Sequence, residues 1–530
     1  MRIIAFVFVV VFACHAFALQ AKTAVNATSV RLLADLTSKT SHIKTPILNC
    51  VGSGHASLSL RQDYRDHLKS TVRDIGFKHV RFHGILDDDM STYLNGHANL
   101  YNVYNSLDFF LANNVRPIIE LGFMPELLAS NSSQTVFHYE GGISAPKDWD
   151  AFTAFITEFT AGMVDRYGLE EVRTWRFEVW NEPNCGFYVD ETCCGPECGN
   201  KAAYFELYKN TAKAVKRVDK DLQVGGPATA QLSWLPEFIA FTQQNQVPVD
   251  FISSHLYPTD PVVPYTMDGF MDAIAASADV AAGINVPLVI TEFNSGLGVP
   301  GYDGPFGAAA VFHQHLASQA VKNLDTLSFW TFTDVFEEQG LISSPYYEES
   351  PKFGMQTLYG VPKPSYRAFQ FIAQQPDAAV PVVPLHDDIR GANPVVARQS
   401  GITIGTVDAM VTRTVEGQYT HVEAIMGNYN MSWQPIATQR VELHFRIPAA
   451  AVTPDIGTLE MIDSTHAYAM PVWIHAGSPT YPTQREINDE MDASKVKPEN
   501  IEVQRVSETE VMIAVTMEPY AVARLRFDYH

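Results

Sequence analysis

Residues 175–184 read Trp175-Arg-Phe-Glu-Val-Trp-Asn-Glu-Pro-Asn184. The first positions are the aromatic and β-branched types that favour a strand, and Asn-Glu-Pro-Asn ends it, because proline has no N–H to give to a sheet. Upstream, Trp149, Phe152, Ile156, Phe159 and Met163 recur at three- and four-residue spacing, with Pro146 near the start and Gly168 just past the end. That is one apolar helix face with its ordinary start and stop signals. Downstream, Phe205, Tyr208, Ala212, Val215 and Val218 repeat the stripe, and the short run Gln223–Gly226 follows. Strand alternating with helix predicts a parallel sheet covered by helices.

Extending the pattern in both directions gives further runs at Ile47–Val51, Val80–His83, Arg116–Gly122, Phe251–Leu256, Leu288–Phe293 and Leu327–Thr331. With Trp175–Asn181 and Gln223–Gly226 they make eight, which predicts a (β/α)8 TIM barrel over residues 46–375. Beyond residue 376 the texture changes. Val380-Pro-Val-Val-Pro384 reads as a linker, and Gly401–Thr406, Tyr419–Met426, Arg440–Ile447 and Glu510–Val515 read as short strands of an antiparallel β-sandwich over 376–530, with one helical interruption near Thr483–Ser494. Residues 19–45 form an extension whose Val25–Leu33 stretch is expected to add a strand to that sandwich.

The 530 residues are 46% hydrophobic, 11% aromatic and 18% charged, so disorder is not the main state. Lysine and arginine number 37 against 59 acidic residues, a formal charge of −22. Such a chain lacks the basic stripe that nucleic acid requires, and an anionic membrane is an equally poor partner. A neutral polyhydroxylated ligand suits it better. Met1-Arg2, an apolar run over Ile3–Ala13 and Ala16-Phe-Ala18 together read as a secretory signal peptide over 1–18, cut near Ala18. A secreted, extracellular protein is therefore expected. Cys14 leaves with the leader. Of the remaining Cys50, Cys185, Cys193, Cys194 and Cys198, four cluster just after the Asn-Glu-Pro-Asn motif, and in an oxidising compartment a disulfide-stapled loop is a better reading than zinc. The odd number leaves one thiol free, with Cys50 the candidate; the pairing stays open. Sequons at Asn26, Asn131 and Asn430 fit export.

Active sites of such barrels sit at the C-terminal strand ends. The fourth run ends in Asn181-Glu182 and the seventh in Glu292-Phe293-Asn294, which puts two carboxylates over one pocket. Glycosidic cleavage by double displacement requires that pair: one carboxyl protonated to donate to the leaving oxygen, the other ionised to attack the anomeric carbon. The residue types alone leave open which is which. No metal and no organic cofactor are needed for this chemistry.

Trp180-Asn-Glu-Pro-Asn184 and Thr291-Glu-Phe-Asn294 resemble the paired signatures of retaining (β/α)8 glycosidases. Cys50-Val-Gly-Ser-Gly-His-Ala56, the stretch from Val80-Arg-Phe-His83 to Met90, Phe329-Trp-Thr-Phe-Thr-Asp-Val-Phe-Glu-Glu338 and Gly477-Ser-Pro-Thr-Tyr-Pro482 narrow the resemblance to glycoside hydrolase family 39, which contains β-xylosidases and α-L-iduronidases. The resemblance implies Glu182 as acid/base and Glu292 as nucleophile. It also implies that Asn181 bonds the sugar 2-hydroxyl, that His83, His255 and Tyr257 bind ring hydroxyls or hold the nucleophile ionised, that Phe123 and Trp330 form sugar platforms, and that Glu338 accepts a bond from a sugar hydroxyl.

Other residues have a structural reading beside a functional one. Trp330 also fits as barrel core. Glu178 reads as a buried structural pair, and Glu120, Glu337 and Asp334 as weaker candidates. Asp87-Asp88-Asp89 looks like a metal-ligand run but reads better as a solvated loop. The cysteine-rich segment 185–199 departs from the family pattern, and Phe187-Tyr188 stands where an aromatic often flanks the substrate. The function expected is an exo-acting β-xylosidase releasing xylose from xylo-oligosaccharides. The alternatives are an α-L-iduronidase and a non-catalytic carbohydrate-binding surface protein. Oligomeric state is open.

Overall fold

The computed structural model describes residues 28–188, 201–297, 301, 303–338, 346, 352–385, 401–404, 406–431 and 436–530. The leader, Asn26, Cys193, Cys194 and Cys198 lie outside the described residues. Eight strands, β1 (Cys50–His55), β2 (His79–His83), β3 (Arg116–Glu120), β4 (Arg176–Glu178), β5 (Gln223–Thr229), β6 (Phe251–His255), β7 (Leu288–Phe293) and β8 (Leu324–Phe329), pair in parallel and close on themselves, Phe329 of β8 lying opposite Val51 of β1. This is the TIM barrel that the alternation predicts. The two helices read from their apolar stripes span Trp149–Tyr167 and Lys201–Val218, and bury those stripes against the strands.

The boundaries differ in informative ways. β1 begins three residues later than its apolar run, because Pro46–Leu48 forms a tight helical turn that is buried ahead of the strand. It also continues past Val51 through Gly52 and Gly54 to His55. A Cβ at Gly52 would sit 2.4 Å from Trp330 Cε3, so this glycine serves the close approach of the indole. β4 is only three residues long. The chain leaves it with Trp180 at φ 71° and Glu182 at φ 41°, left-handed conformations that turn the Glu182 side chain over the barrel mouth.

The second domain is a two-sheet antiparallel sandwich around its own apolar core, in which Val422, Ala424 and Leu525 of one sheet face Leu32, Leu443 and Ile513 of the other. Strand Thr28–Asp35 runs parallel to Gln439–Arg446 within it. The expected linker Val380–Pro384 is a correction: Ala378–Val380 pairs in one sheet and Val382–Pro384 in the other, with Pro381 at the crossing. The helix near Thr483 spans Gln484–Ala493 and starts with a capping box between Thr483 and Glu486. The domains are joined by a buried ion pair, His313 on helix Pro305–Ser318 with Asp408 of the sandwich; the second ring nitrogen of His313 donates to Met267 O at 2.8 Å. Among the described residues no helix is long and apolar enough to cross a membrane.

Candidate active site

Arg81 and His83 alternate on β2, so both side chains enter the barrel mouth. Arg81 is wholly buried and its guanidinium is shared among four groups. Nε donates to Glu178 Oε2 at 2.6 Å, Nη1 to Glu292 Oε1 at 2.6 Å, and Nη2 to Asn181 Oδ1 at 3.0 Å, with Glu120 Oε2 at 2.9 Å. Glu120 and Glu178 lie side by side on β3 and β4. Two buried like charges on adjacent strands repel, and Arg81 is the counter-charge that makes the arrangement tenable. Thr291 donates to the other oxygen of Glu178 at 2.8 Å. Glu178 is thus a positioning group, as its structural reading holds.

Glu292 ends β7 beside His255 on β6, an adjacency created by a register shift after Ser254. Besides Arg81 on Oε1, it accepts a hydrogen bond from Tyr257 Oη on Oε2 at 2.8 Å. Glu182 faces it from β4, with His255 Nδ1 2.8 Å from its Oε1. One oxygen of each glutamate and a nitrogen of His255 lie within 4.8 Å of one another. Carboxyls this close fit double displacement; an inverting enzyme needs roughly 6.5–9.5 Å to seat a water between them.

Burial pushes the Glu182 carboxyl up to about 7, against the opposing pull of His83 and Arg81. Burial also raises Glu292, opposed by the charge of Arg81. The difference lies in contacts: Glu292 touches a guanidinium and a phenol, both donors to an anion, whereas the hydrogen bond of Glu182 is to an imidazole. Burial holds that imidazole down at about 4, so His255 is neutral. One proton therefore lies between His255 Nδ1 and Glu182 Oε1, on oxygen when the acid is loaded. Of the pair, Glu292 is the one placed to hold negative charge and Glu182 the one placed to hold a proton.

His83 is the opposite case from His255. Its Nδ1 is 2.6 Å from Glu120 Oε2 and its Nε2 3.2 Å from Glu338 Oε1, and despite burial these carboxylates raise it to about 10. It is an imidazolium that ties the β8 loop to β2. Rings surround it: Trp330 at 4.6 Å, Phe137 at 5.9 Å and Phe123 at 6.3 Å. All nine residues singled out in the sequence, Asn181, Glu182, Glu292, His83, His255, Tyr257, Phe123, Trp330 and Glu338, thus gather around one mouth.

Arg81 and Phe137 were missed. Arg81 had a signal, its two-residue spacing from His83 inside an apolar strand. Phe137 had none, since its place depends on a left-handed φ of 62° in the loop after β3. Its ring lies 5.1 Å from that of Phe187, which stands in the loop carrying Glu182, so the two line the Glu182 side of the mouth. Asp87 bonds His55 at 3.1 Å and the Phe123 amide at 2.9 Å, and the fork of aspartates raises His55 to about 9. Through these two bonds Asp87 anchors the loop to β1 and to the start of the Phe123 segment. Asp334 pairs with Lys363 at 2.6 Å, a structural role. Cys50 is a buried free thiol, and no disulfide joins two described residues.

The family model for glycosyl hydrolases family 39 matches residues 30–509. A β-xylosidase from Caldicellulosiruptor saccharolyticus is 34% identical over 491 residues, 89% of this chain and 93% of its own. A solved family 39 β-xylosidase from Caulobacter crescentus superposes with a TM-score of 0.73 at 26% identity, covering 94% of this chain and 99% of that one. A bacterial orthologue of human α-L-iduronidase shares the fold, with a TM-score of 0.66 at 15% identity over 94% of this chain and 84% of that one.

Proposed function

The chain belongs to glycosyl hydrolases family 39 and is an O-glycosyl hydrolase, and from that premise we propose a retaining, exo-acting β-xylosidase that releases xylose from xylo-oligosaccharides. In this reading Glu182 donates its proton to the glycosidic oxygen while Glu292 Oε attacks the anomeric carbon. The C–O bond to the leaving group breaks as the ester bond to Glu292 forms. Esterification removes the charge of Glu292, the carboxyl of Glu182 becomes more acidic, and Glu182 then takes a proton from the water that cleaves the ester. Arg81 orients Asn181, whose amide is left to meet the 2-hydroxyl.

The observation that favours a neutral pentose over iduronate is the state of the cations. Among the described residues that touch the carboxylate pair, the charged donors Arg81 and His83 are already bonded to Glu178, Glu120, Glu292 and Glu338. A sugar carboxylate entering the mouth meets no uncommitted positive charge there. Two of the curated relatives, at 33% and 34% identity, are named β-xylosidases. Export through the leader at 1–18 belongs to the same proposal, since polymeric substrate lies outside the cell. Hydrolysis of aryl β-xyloside and aryl α-iduronide by the purified protein is the test. Cleavage of the xyloside alone supports the reading; cleavage of the iduronide alone replaces it.

A further inference from the structure

Among the described residues, the sandwich holds a buried carboxyl, Glu423, with one oxygen that no hydrogen bond reaches, although the charges of Arg524 and Arg526 act on it. Glu423 sits on strand Tyr419–Asn428 between Val422 and Ala424, both of which enter the sandwich core, so Glu423 points from the opposite face of the sheet. It is only 8% exposed, and among the described residues its Oε1 is shielded from solvent with no donor. The neighbouring arginines direct hydrogen bonds at another acid: Arg524 Nε and Arg526 Nη2 both donate to Glu460 Oε2, at 2.7 and 3.0 Å. A buried carboxyl without a donor is costly, and burial lifts this one to about 7.

Glu423 lines an open crevice of about 620 Å³, together with His421, Arg526, Asp528, Thr458 and the exposed Ile456. This volume lies in the range of small-molecule sites, ~300–1,000 Å³. Its chemistry is mixed. Glu423 accepts, Asp528 accepts through the oxygen that His421 Nδ1, 2.8 Å from its Oδ1, does not hold, Arg526 donates through the N–H groups not given to Glu460, and Ile456 offers an apolar edge. An anion meets the two carboxylates, and a cation meets Arg526. A neutral polyol suits both, because each hydroxyl donates and accepts, while the C–H face of its ring packs on Ile456. Pro376, also in the crevice wall, follows the C-terminus of the last barrel helix, Pro364–Gln374. That helix runs back from the strand ends, so the crevice opens at the barrel end away from Glu182 and Glu292.

We propose that this crevice is a second, non-catalytic saccharide site, in which Glu423 and Asp528 accept from sugar hydroxyls and Arg526 donates to them. Naming a xylo-oligosaccharide as its ligand rests on the xylosidase reading of the barrel mouth. The test is calorimetric titration of xylotetraose into Glu292→Gln, which binds without turnover, and into the same protein carrying Glu423→Gln or, on the exposed rim, Asp528→Ala. Two classes of site in the parent and the loss of one in each double variant are expected. Hydrolysis of an aryl xyloside by the Glu423→Gln and Asp528→Ala single variants is expected to be unchanged, which also confirms that they fold. A single site in the parent that the crevice substitutions abolish would uphold the crevice and sink the barrel reading. A single site that they leave intact, two sites that they leave intact, or no binding at all overturns the crevice.

Discussion

Nη1 of Arg81 lies 2.6 Å from Oε1 of Glu292, and the same guanidinium holds Glu178 through Nε at 2.6 Å. One planar cation thus fixes Glu292 to the barrel wall and neutralises the carboxylates beneath it. Lysine has one point charge and no fork, and cannot hold the four partners in that geometry. Arg81→Lys is therefore expected to lose about 3–5 kcal/mol of stability, the usual cost of breaking a buried ionic cluster. Thermal unfolding measures it; an unchanged melting temperature contradicts the role given to Arg81.

The proposed mechanism assigns the alkaline limb of activity to Glu182. The acid works only while protonated, and its carboxyl is raised to about 7, so kcat/KM should fall as pH rises through about 7. In Glu182→Ala that limb should vanish, and activity should survive best on aryl xylosides with activated leaving groups, which need no protonation. Equal losses on good and poor leaving groups would remove Glu182 from the acid role.

Tyr257 donates to Oε2 of Glu292 at 2.8 Å, and so stabilises its charged form. Tyr257→Phe should cut kcat by about 10- to 100-fold, ~1.4–2.7 kcal/mol of activation free energy. It should also move the acidic limb of the pH profile to higher pH, because the nucleophile then takes up a proton more readily. A variant with lower kcat but an unmoved acidic limb would make Tyr257 a packing residue only.

His313 and Asp408 couple the domains. Burial lowers the His313 imidazole, but Asp408 and the Met267 carbonyl more than offset this and hold it above its ordinary value. A raised folded-state value means that the contribution of the pair is complete below the unfolded pKa of about 6.5 and is lost as pH rises through the folded-state value. Asp408→Asn should therefore lower the melting temperature more at pH 6 than at pH 10. Equal losses at both would show that the pair carries no proton-linked stability.

What could be read from the sequence follows from how local the determinants are. Glu182 and Glu292 were legible because each ends an apolar run with turn chemistry after it. The barrel was legible because the two periodicities alternate over eight units. Arg81 was harder, since an arginine in a strand reads as a break in the apolar pattern until His83, two residues on, shows that both face inward. Phe137 depends on one backbone torsion in a long loop. The pairing of Val382–Pro384 with Leu32–Ala34 joins residues some 350 apart, and prolines there conceal two short strands. The adjacency of His255 and Glu292 rests on a register shift that no local pattern records.

The central claim is that Glu292 becomes covalently glycosylated while Glu182 supplies and recovers the proton. Mass spectrometry of the protein inactivated with a 2-deoxy-2-fluoro-β-xyloside, followed by proteolysis, measures it most directly. The expected result is one fluoroxylosyl adduct per chain, on the peptide containing Thr291-Glu292-Phe293 and absent from Glu292→Ala. An adduct on another carboxylate, or turnover of aryl β-xylosides that releases the α-anomer without any adduct, would contradict it.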